Sequence, residues 1–123
     1  MTTPMQRTLA EIKKDNLVYW VVEAWKQWAK RRVDLFNIID LLVLDNGVVG
    51  IQVCGADVNI HKEKIMETEK HYTFAWLEQP GTRLELWGWR QIKKVKGKKA
   101  MVWKPRIVDI LIINKELYWE ERK

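Results

Sequence analysis

One carboxylate interrupts an otherwise apolar stretch of this sequence, which marks it as a candidate for chemistry. Asp40 lies within the run Ile38–Leu44, whose other members are all aliphatic and indicate a buried strand. Burying a carboxylate among aliphatic side chains is costly unless a positive partner meets it. A divalent metal ion is one such partner, so Asp40 is the leading candidate for a metal ligand.

The residues after this run predict a β-hairpin that places a second polar side chain opposite Asp40. The turn signal Asp45-Asn46-Gly47 separates the run from a second apolar strand, Val48–Cys54. With a three-residue loop, the pairing centres on Asn46, and Asp40 lies opposite Gln52 on one face. A two-residue Asn-Gly turn shifts the register by one residue and separates the two side chains. The sequence alone leaves both loop lengths open.

The pattern resembles the metal-binding core of the PD-(D/E)XK nuclease superfamily, in which an Asp on one strand is followed on the next by an acid, one residue and a lysine. Asp40, Gln52 and Cys54 occupy these three positions, and the last two depart from the pattern. A small phage-type variant with Gln in place of the second acid is more similar, over roughly residues 5 to 90. The matching segments, in order, are Gln6–Leu9, Val21–Glu23, Arg32–Phe36, Ile39-Asp40, Ile51-Gln52, Lys64-Ile65, Trp76-Leu77 and Gly88–Arg90.

The resemblance implies a metal-dependent DNA endonuclease with a restriction-endonuclease-like core of order αβββαβ. Mg²⁺ or Mn²⁺ would be bound by Asp40, by the amide oxygen of Gln52 and by Glu23, with Asp34 as a further acid that offsets the missing charge. Archaeal-type Holliday junction resolvases are similar in core order, length and basic character. That similarity favours a structure-selective enzyme that acts on branched DNA as a homodimer.

The superfamily's lysine is missing from this chain, because Cys54 stands in its place. By the resemblance, Lys64 from the following helix supplies the ammonium group instead; its ordinary interpretation is an exposed helix lysine. The departures at Gln52 and Cys54 support an alternative, a non-catalytic DNA-binding protein with a degenerate nuclease core. A third possibility is a structural or interaction protein that uses the tryptophan-rich surface.

Two of the acids also have ordinary structural interpretations. Glu23 fits an exposed carboxylate at a strand end. Asp34 fits a cap, or an ion pair with Arg31 or Arg32. The sequence leaves these alternatives open.

Positive charge is concentrated in two parts of the chain, which has a net charge of +6 and a pI near 9.5. Residues 90–106 contain no acid and centre on the turn-like Lys96-Gly97-Lys98, which predicts a basic β-hairpin. A second cluster precedes Asp34. Cations beside a carboxylate centre would hold a phosphodiester backbone against repulsion, although a solvated surface loop is the ordinary alternative. The predicted DNA contacts are Arg31, Arg32, Lys93, Lys94, Lys96, Lys98 and Lys99.

The elements that must position these residues are those of one mixed α/β domain spanning residues 1–123. Thr3, Pro4 and Gln6 predict a capped helix that ends near Asn16. A loop is expected over 26–32, and no strand is predicted in the charged tail over 114–123. The remaining predicted elements are strands over 17–25, 38–44, 48–54 and 83–92, a helix over 60–78, and short strands over 101–103 and 107–113.

Composition excludes several other classes. The sequence has no apolar run long enough to span a membrane, its start is unlike a signal peptide, and its single cysteine cannot form an internal disulfide. We therefore expect a soluble protein in a reducing cytoplasm, that of a host cell if the origin is viral. The eight tryptophans are expected mainly in the core or a dimer interface, with stacking on unpaired bases the lesser alternative for Trp25 and Trp28.

Overall fold

Six strands form one mixed sheet in the computed structural model, which describes residues 2–123 apart from the side chains of Trp25 and Arg32. Two further strands form a separate hairpin. Within these residues, no helix has both the length and the apolar character of a membrane span. The elements in chain order are α1 (Pro4–Lys14), β1 (Val18–Val21), β2 (Ala24–Lys26), β3 (Arg31–Val33), β4 (Leu41–Leu44), β5 (Val48–Cys54), α2 (Val58–Glu63), a π-helical segment (Lys64–Thr68), α3 (Lys70–Leu77), β6 (Thr82–Lys93), β7 (Met101–Ile113) and β8 (Glu116–Glu121).

The strand order across the sheet is β1-β4-β5-β6-β7-β8. β5 and β6 run parallel, and the other neighbours are antiparallel. Because parallel neighbours need a long crossover, the helices from α2 to α3 join β5 to β6. The elements of the main sheet therefore follow the order αβββαβ and continue into the β6–β7 hairpin. The predicted mixed α/β class, element order and basic hairpin are confirmed.

Apolar side chains cover both faces of the sheet. Helix α1 begins as predicted, because Thr3 and Gln6 exchange the two hydrogen bonds of a capping box, at 2.8 and 3.1 Å. Its apolar face, with Met5, Leu9 and Ile12, packs on one side of the sheet. The helices between β5 and β6 cover the other side, whose buried residues include Ile38, Ile39, Ile65, Leu84 and Leu86.

The β4–β5 hairpin has the three-residue loop. The pairing of Leu41 with Ile51 centres the hairpin on Asn46. Gly47 has φ +128°, and a Cβ added there would lie 2.2 Å from the carbonyl oxygen of Gly81. The turn therefore requires glycine for both its conformation and its close packing.

The strand predicted over 38–44 begins only at Leu41. The preceding residues form a tight loop in which the backbone N–H groups of Leu35 and Ile39 each donate to the other's carbonyl oxygen, at 2.8 and 3.0 Å. Phe36 and Asn37 have φ values of +52° and +62° at its tip. Left-handed residues of this kind end the extended backbone, so Asp40 lies at the start of a strand and not within one.

Two further predictions near the N-terminus need correction. The strand predicted over 17–25 is divided between β1 and β2, because the N–H groups of Val22 and Glu23 both turn towards the carbonyl oxygen of Asp40. The loop predicted over 26–32 contains a tight turn and the start of β3, which pairs with β2.

The helix predicted over 60–78 begins two residues earlier, at Val58, and a π-helical segment interrupts it. The N–H of Glu69 donates to the carbonyl of Lys64 at 2.8 Å, five residues back. The hydroxyl of the buried Thr73 donates to the carbonyl of Ile65 at 2.7 Å. The Thr73 hydroxyl thus donates a hydrogen bond to a buried carbonyl group within the π-helical segment.

The C-terminal part holds two long strands where short ones, or none, were predicted. β7 runs unbroken through Pro105, because β8 pairs only with Val108–Ile113 and leaves the earlier part of β7 with one free edge. Proline is tolerated where its missing N–H faces such an edge. The charged tail, to which no element was assigned from the sequence, forms β8.

Candidate metal centre

Three carboxylates from separate segments meet beside the start of β4. Glu23 directly precedes β2 and Asp34 directly follows β3, so the pairing of these strands brings both acids to the base of the hairpin. Asp40 precedes β4, and its carbonyl oxygen accepts the N–H groups of Val22 and Glu23 at 2.9 and 3.2 Å. One carboxylate oxygen of each acid lies within 4.8 Å of the other two. The structure thus brings together the three acids named from the sequence.

The loop before Asp40 depends on a left-handed residue. Asn37 has φ +62°. Asparagine is among the few residues that adopt this conformation at low cost. The residue type at position 37 therefore fits the shape of this loop.

Asp40 is almost fully buried, with 4% of the residue exposed. Its Oδ2 accepts hydrogen bonds from the Gln52 amide at 2.7 Å and from the Val53 N–H at 2.8 Å. Burial, together with the neighbouring Asp34, raises the pKa of Asp40 to about 8. A carboxyl group with this pKa holds its proton at neutral pH, and it shares that proton with Asp34.

The pKa of Asp34 is shifted in the opposite direction, below its usual value. Its Oδ2 accepts hydrogen bonds from the Gln52 amide at 3.0 Å and from Lys64 Nζ at 3.3 Å. Burial alone raises the pKa of Asp34, but hydrogen bonds from Asp40 and Gln52 and the Lys64 ammonium together hold it below its usual value. The pair therefore holds one proton, which lies mainly on Asp40, and one negative charge, which lies mainly on Asp34.

The side chain of Gln52 links the acids to Lys64. Its Nε2 donates to Asp34 and Asp40, and its Oε1 accepts from Lys64 Nζ at 3.2 Å. The predicted register is confirmed, because Gln52 and Asp40 share a face and bond directly. In this orientation the NH₂ group faces the carboxylates, so the predicted role of Gln52 as an oxygen ligand requires a half-turn of the amide, which exchanges its oxygen and nitrogen.

The donor set fits a hard divalent cation. Glu23, Asp34 and Asp40 offer carboxylate oxygens, the ligands that Mg²⁺ and Mn²⁺ prefer. A cation among them would replace the shared proton. Of the three acids, Asp34 lines a cleft of about 250 Å³, together with Arg31, Val33, Asn37, Lys64 and Glu69.

A second group of possible ligands lies beyond the end of β5. Cys54, Asp57 and His61 each place one ligand atom within 4.8 Å of the others. Burial raises the pKa of the Cys54 thiol to about 12, and the negative charges of Asp57 and Asp40 add to the effect. A ring nitrogen of His61 lies 3.2 Å from Asp57 Oδ2. The spacing Cys-x₂-Asp-x₃-His signals this group, which the sequence analysis did not name. Its neutral thiol makes it a poorer metal site than the three carboxylates.

The predicted DNA contacts fall in two separate places. Arg31 is exposed and lines the cleft, whereas the side chain of Arg32 lies outside the described residues. Gln52 pairs with Leu86, and Lys93 lies seven residues farther along β6, so the basic tip begins roughly 20 Å from the acids. The lysines at this tip, all exposed and without an ion pair to any described carboxylate, are Lys93, Lys94, Lys96, Lys98 and Lys99.

No family model matches the chain, and comparisons with curated proteins and with solved structures likewise give no match. The relationship to the PD-(D/E)XK nucleases therefore stays a prediction that rests on the ordered motifs.

Proposed function

We propose that this protein is a metal-dependent DNA endonuclease whose acidic centre uses Mg²⁺ or Mn²⁺ to hydrolyse phosphodiester bonds. The observation that carries the proposal is the meeting of Glu23, Asp34 and Asp40 within 4.8 Å, with Lys64 beside them. Gathering three acids around a buried amide is costly, and a bound cation would offset that cost. When bound, the ion supplies a water molecule of lowered pKa and stabilises charge on the leaving oxygen.

The chain's own residues supply the remaining parts of the proposed reaction. Lys64 donates to Asp34 and lines the cleft, where its ammonium group would contact a phosphate oxygen and help to orient the attacking water. Arg31 lines the same cleft and adds a second positive charge for the phosphate. Both cations would hold the DNA backbone against repulsion by the carboxylates.

The distance between the acids and the β6–β7 tip favours an extended substrate. The lysines at this tip begin roughly 20 Å from the acids, which corresponds to about six base-pair steps of 3.4 Å. A nucleic acid duplex or duplex arm would reach from the cleft to the tip. Branched DNA as the preferred substrate, and a homodimer as the active form, are the parts of the proposal that rest on the resemblance to Holliday junction resolvases.

A cleavage assay tests this proposal directly. The purified protein is incubated with supercoiled plasmid, linear duplex and a labelled four-way junction, in Mg²⁺, Mn²⁺ or EDTA. Wild type should cut only with metal. Asp40→Asn should lower the rate by at least about 100-fold, because the loss of a residue that only supports a metal ligand already costs up to about 100-fold. Glu120→Gln, which changes an exposed carboxylate on β8, is the matched control and should cut like wild type.

The outcomes separate the parts of the proposal. Cleavage in EDTA, or full activity in Asp40→Asn, would refute a metal centre at these acids. Equal cutting of the junction and the linear duplex would refute selectivity for branched DNA. Sedimentation of the protein alone and with junction DNA tests the homodimer.

A non-catalytic DNA-binding protein is the second candidate, and one observation favours it. The Gln52 amide and the Lys64 ammonium already face the carboxylates, and Asp40 already holds a proton. These acids are thus compensated by groups of the chain itself. Calorimetric titration with Mn²⁺ distinguishes the candidates, because a degenerate centre should bind the ion no more tightly in wild type than in Asp40→Asn.

A further inference from the structure

The tip of the β2–β3 hairpin exposes an aromatic side chain to solvent. Trp28 is 79% exposed, more than any other large apolar residue that the structure describes. It lies in the four-residue turn of residues 27–30, which is closed by hydrogen bonds from Ala29 to Lys26 and from Lys30 to Gln27 at 3.2 and 3.3 Å. Packing within the chain, the expected role for a tryptophan, therefore does not account for Trp28.

The residues around Trp28 are cationic. Lys26 and Arg31 form the last pair of the hairpin, and Lys30 follows Trp28 in the turn with φ +52°. Two like charges placed opposite each other destabilise a strand pair. An exposed indole among exposed cations is the combination by which proteins bind single-stranded nucleic acid, with the ring stacked on a base and the cations on the backbone.

The base of the same hairpin is the candidate metal centre. Glu23 precedes its first strand, and Asp34 follows its second. Arg31 lines the cleft beside Asp34 and Lys64, so the cleft is continuous with the hairpin. At about 3.3 Å per residue, Trp28 lies about 10–15 Å from the acids, or about three to four nucleotides of stacked strand.

We propose that the β2–β3 hairpin binds an unpaired nucleotide of the substrate, with Trp28 stacked on its base and Arg31 on its phosphate. This inference rests on the proposed function and names its substrate class: DNA that carries an unpaired nucleotide within a few residues of the scissile phosphate. A base inside a duplex is already stacked on both faces. An unpaired base offers a free face to Trp28, whereas a base in the interior of a duplex does not, so the hairpin discriminates between unpaired nucleotides and the interior of a duplex.

Binding in EDTA tests this proposal without any need for cleavage. Fluorescence anisotropy gives the Kd for a labelled single strand, for a duplex with a single-stranded flap, and for a blunt duplex. Trp28→Ala should weaken binding to the first two by about tenfold and binding to the blunt duplex by less than about twofold. Trp28→Phe should restore most of the loss, because a phenyl ring also stacks.

A second measurement reports the stacking itself. A 2-aminopurine at the unpaired position of the flap should lose fluorescence when wild type binds and keep it when Trp28→Ala binds. Trp20→Ala is the matched control: Trp20 is 74% exposed, on β1, a strand that carries no cation. It should behave like wild type in both measurements.

The results separate this inference from the proposed nuclease activity. Unchanged flap binding by Trp28→Ala, an equal loss for the blunt duplex, or an equal effect of Trp20→Ala would each overturn the role of the hairpin. Stacking by Trp28 in a protein that never cuts DNA would support the hairpin and refute the nuclease. Cleavage that proceeds equally well in wild type and Trp28→Ala on flap DNA at limiting concentration would refute the hairpin alone.

Discussion

Asp40→Asn should make the metal-free protein more stable at neutral pH while it removes the response to metal. The folded protein holds a proton on Asp40 up to a pKa of about 8, whereas the ordinary value is 3.8. Folding at pH 7 therefore takes up a proton from solvent. Asparagine has the shape of the protonated acid, and it can accept from Gln52 and Val53 and donate to Asp34 without any proton uptake.

The sign and size of the effect follow from proton linkage. Between about pH 4 and pH 8 the folded state binds more protons than the unfolded state, so the free energy of unfolding falls as pH rises, by up to about 1.4 kcal/mol per pH unit. The full shift would amount to about 4 kcal/mol at pH 7. Because the proton is shared with Asp34, we expect about 1–3 kcal/mol. The lowered pKa of Asp34 acts in the opposite sense only below about pH 4, outside this range.

Urea unfolding in EDTA at pH 5, 6, 7 and 8 measures this effect. Wild type should lose stability across the series, and Asp40→Asn should remain nearly level and exceed wild type at pH 8. Mg²⁺ at 100 times its Kd should then stabilise wild type by about 2.7 kcal/mol and leave the variant unchanged. A level wild-type profile, together with a variant no more stable at pH 8, would show that Asp40 is ionised in the folded protein.

Three further variants test Gln52, Lys64 and the β6–β7 tip. Gln52→Glu adds a carboxylate beside Asp34 and Asp40, so it should raise Mn²⁺ affinity in calorimetry and lower the metal-free stability in urea by about 1–3 kcal/mol. Unchanged affinity would exclude position 52 as a ligand. Lys64→Gln should slow metal-dependent cleavage by about 100-fold while the Kd for DNA changes less than tenfold, and an effect on Kd alone would limit Lys64 to binding. Lys96→Ser combined with Lys98→Ser should reduce the slope of log K against log salt by about 2, whereas an unchanged slope would remove the β6–β7 tip from the DNA interface.

Local signals in the sequence predicted the parts of the fold that local geometry controls. Thr3, Pro4 and Gln6 define the start of α1 within one turn. Asp45, Asn46 and Gly47 predicted the β4–β5 hairpin and limited its loop to two or three residues. The structure has the three-residue loop, and that length sets Asp40 opposite Gln52.

The remaining features depend on contacts between distant segments, which the local pattern does not contain. The division of residues 17–25 between β1 and β2 follows from hydrogen bonds to the carbonyl of Asp40, seventeen residues after Glu23 in the chain. The protonation of Asp40 follows from its burial beside Asp34. β8 depends on pairing with β7, because three of its six residues are glutamates, which are depleted in strands.

The π-helical segment that begins at Lys64 changes the direction in which the side chains of α3 face relative to those of α2. One extra residue within its wide turn lets Lys64 face the acids while the next residue, Ile65, is fully buried in the core. Deleting any one residue from this segment would restore regular winding and rotate one flanking helix by about 100° relative to the other. Either the contact of the Lys64 ammonium with the acids or the packing of α3 would then be lost. The length of this segment is therefore constrained even where its side chains are free to vary.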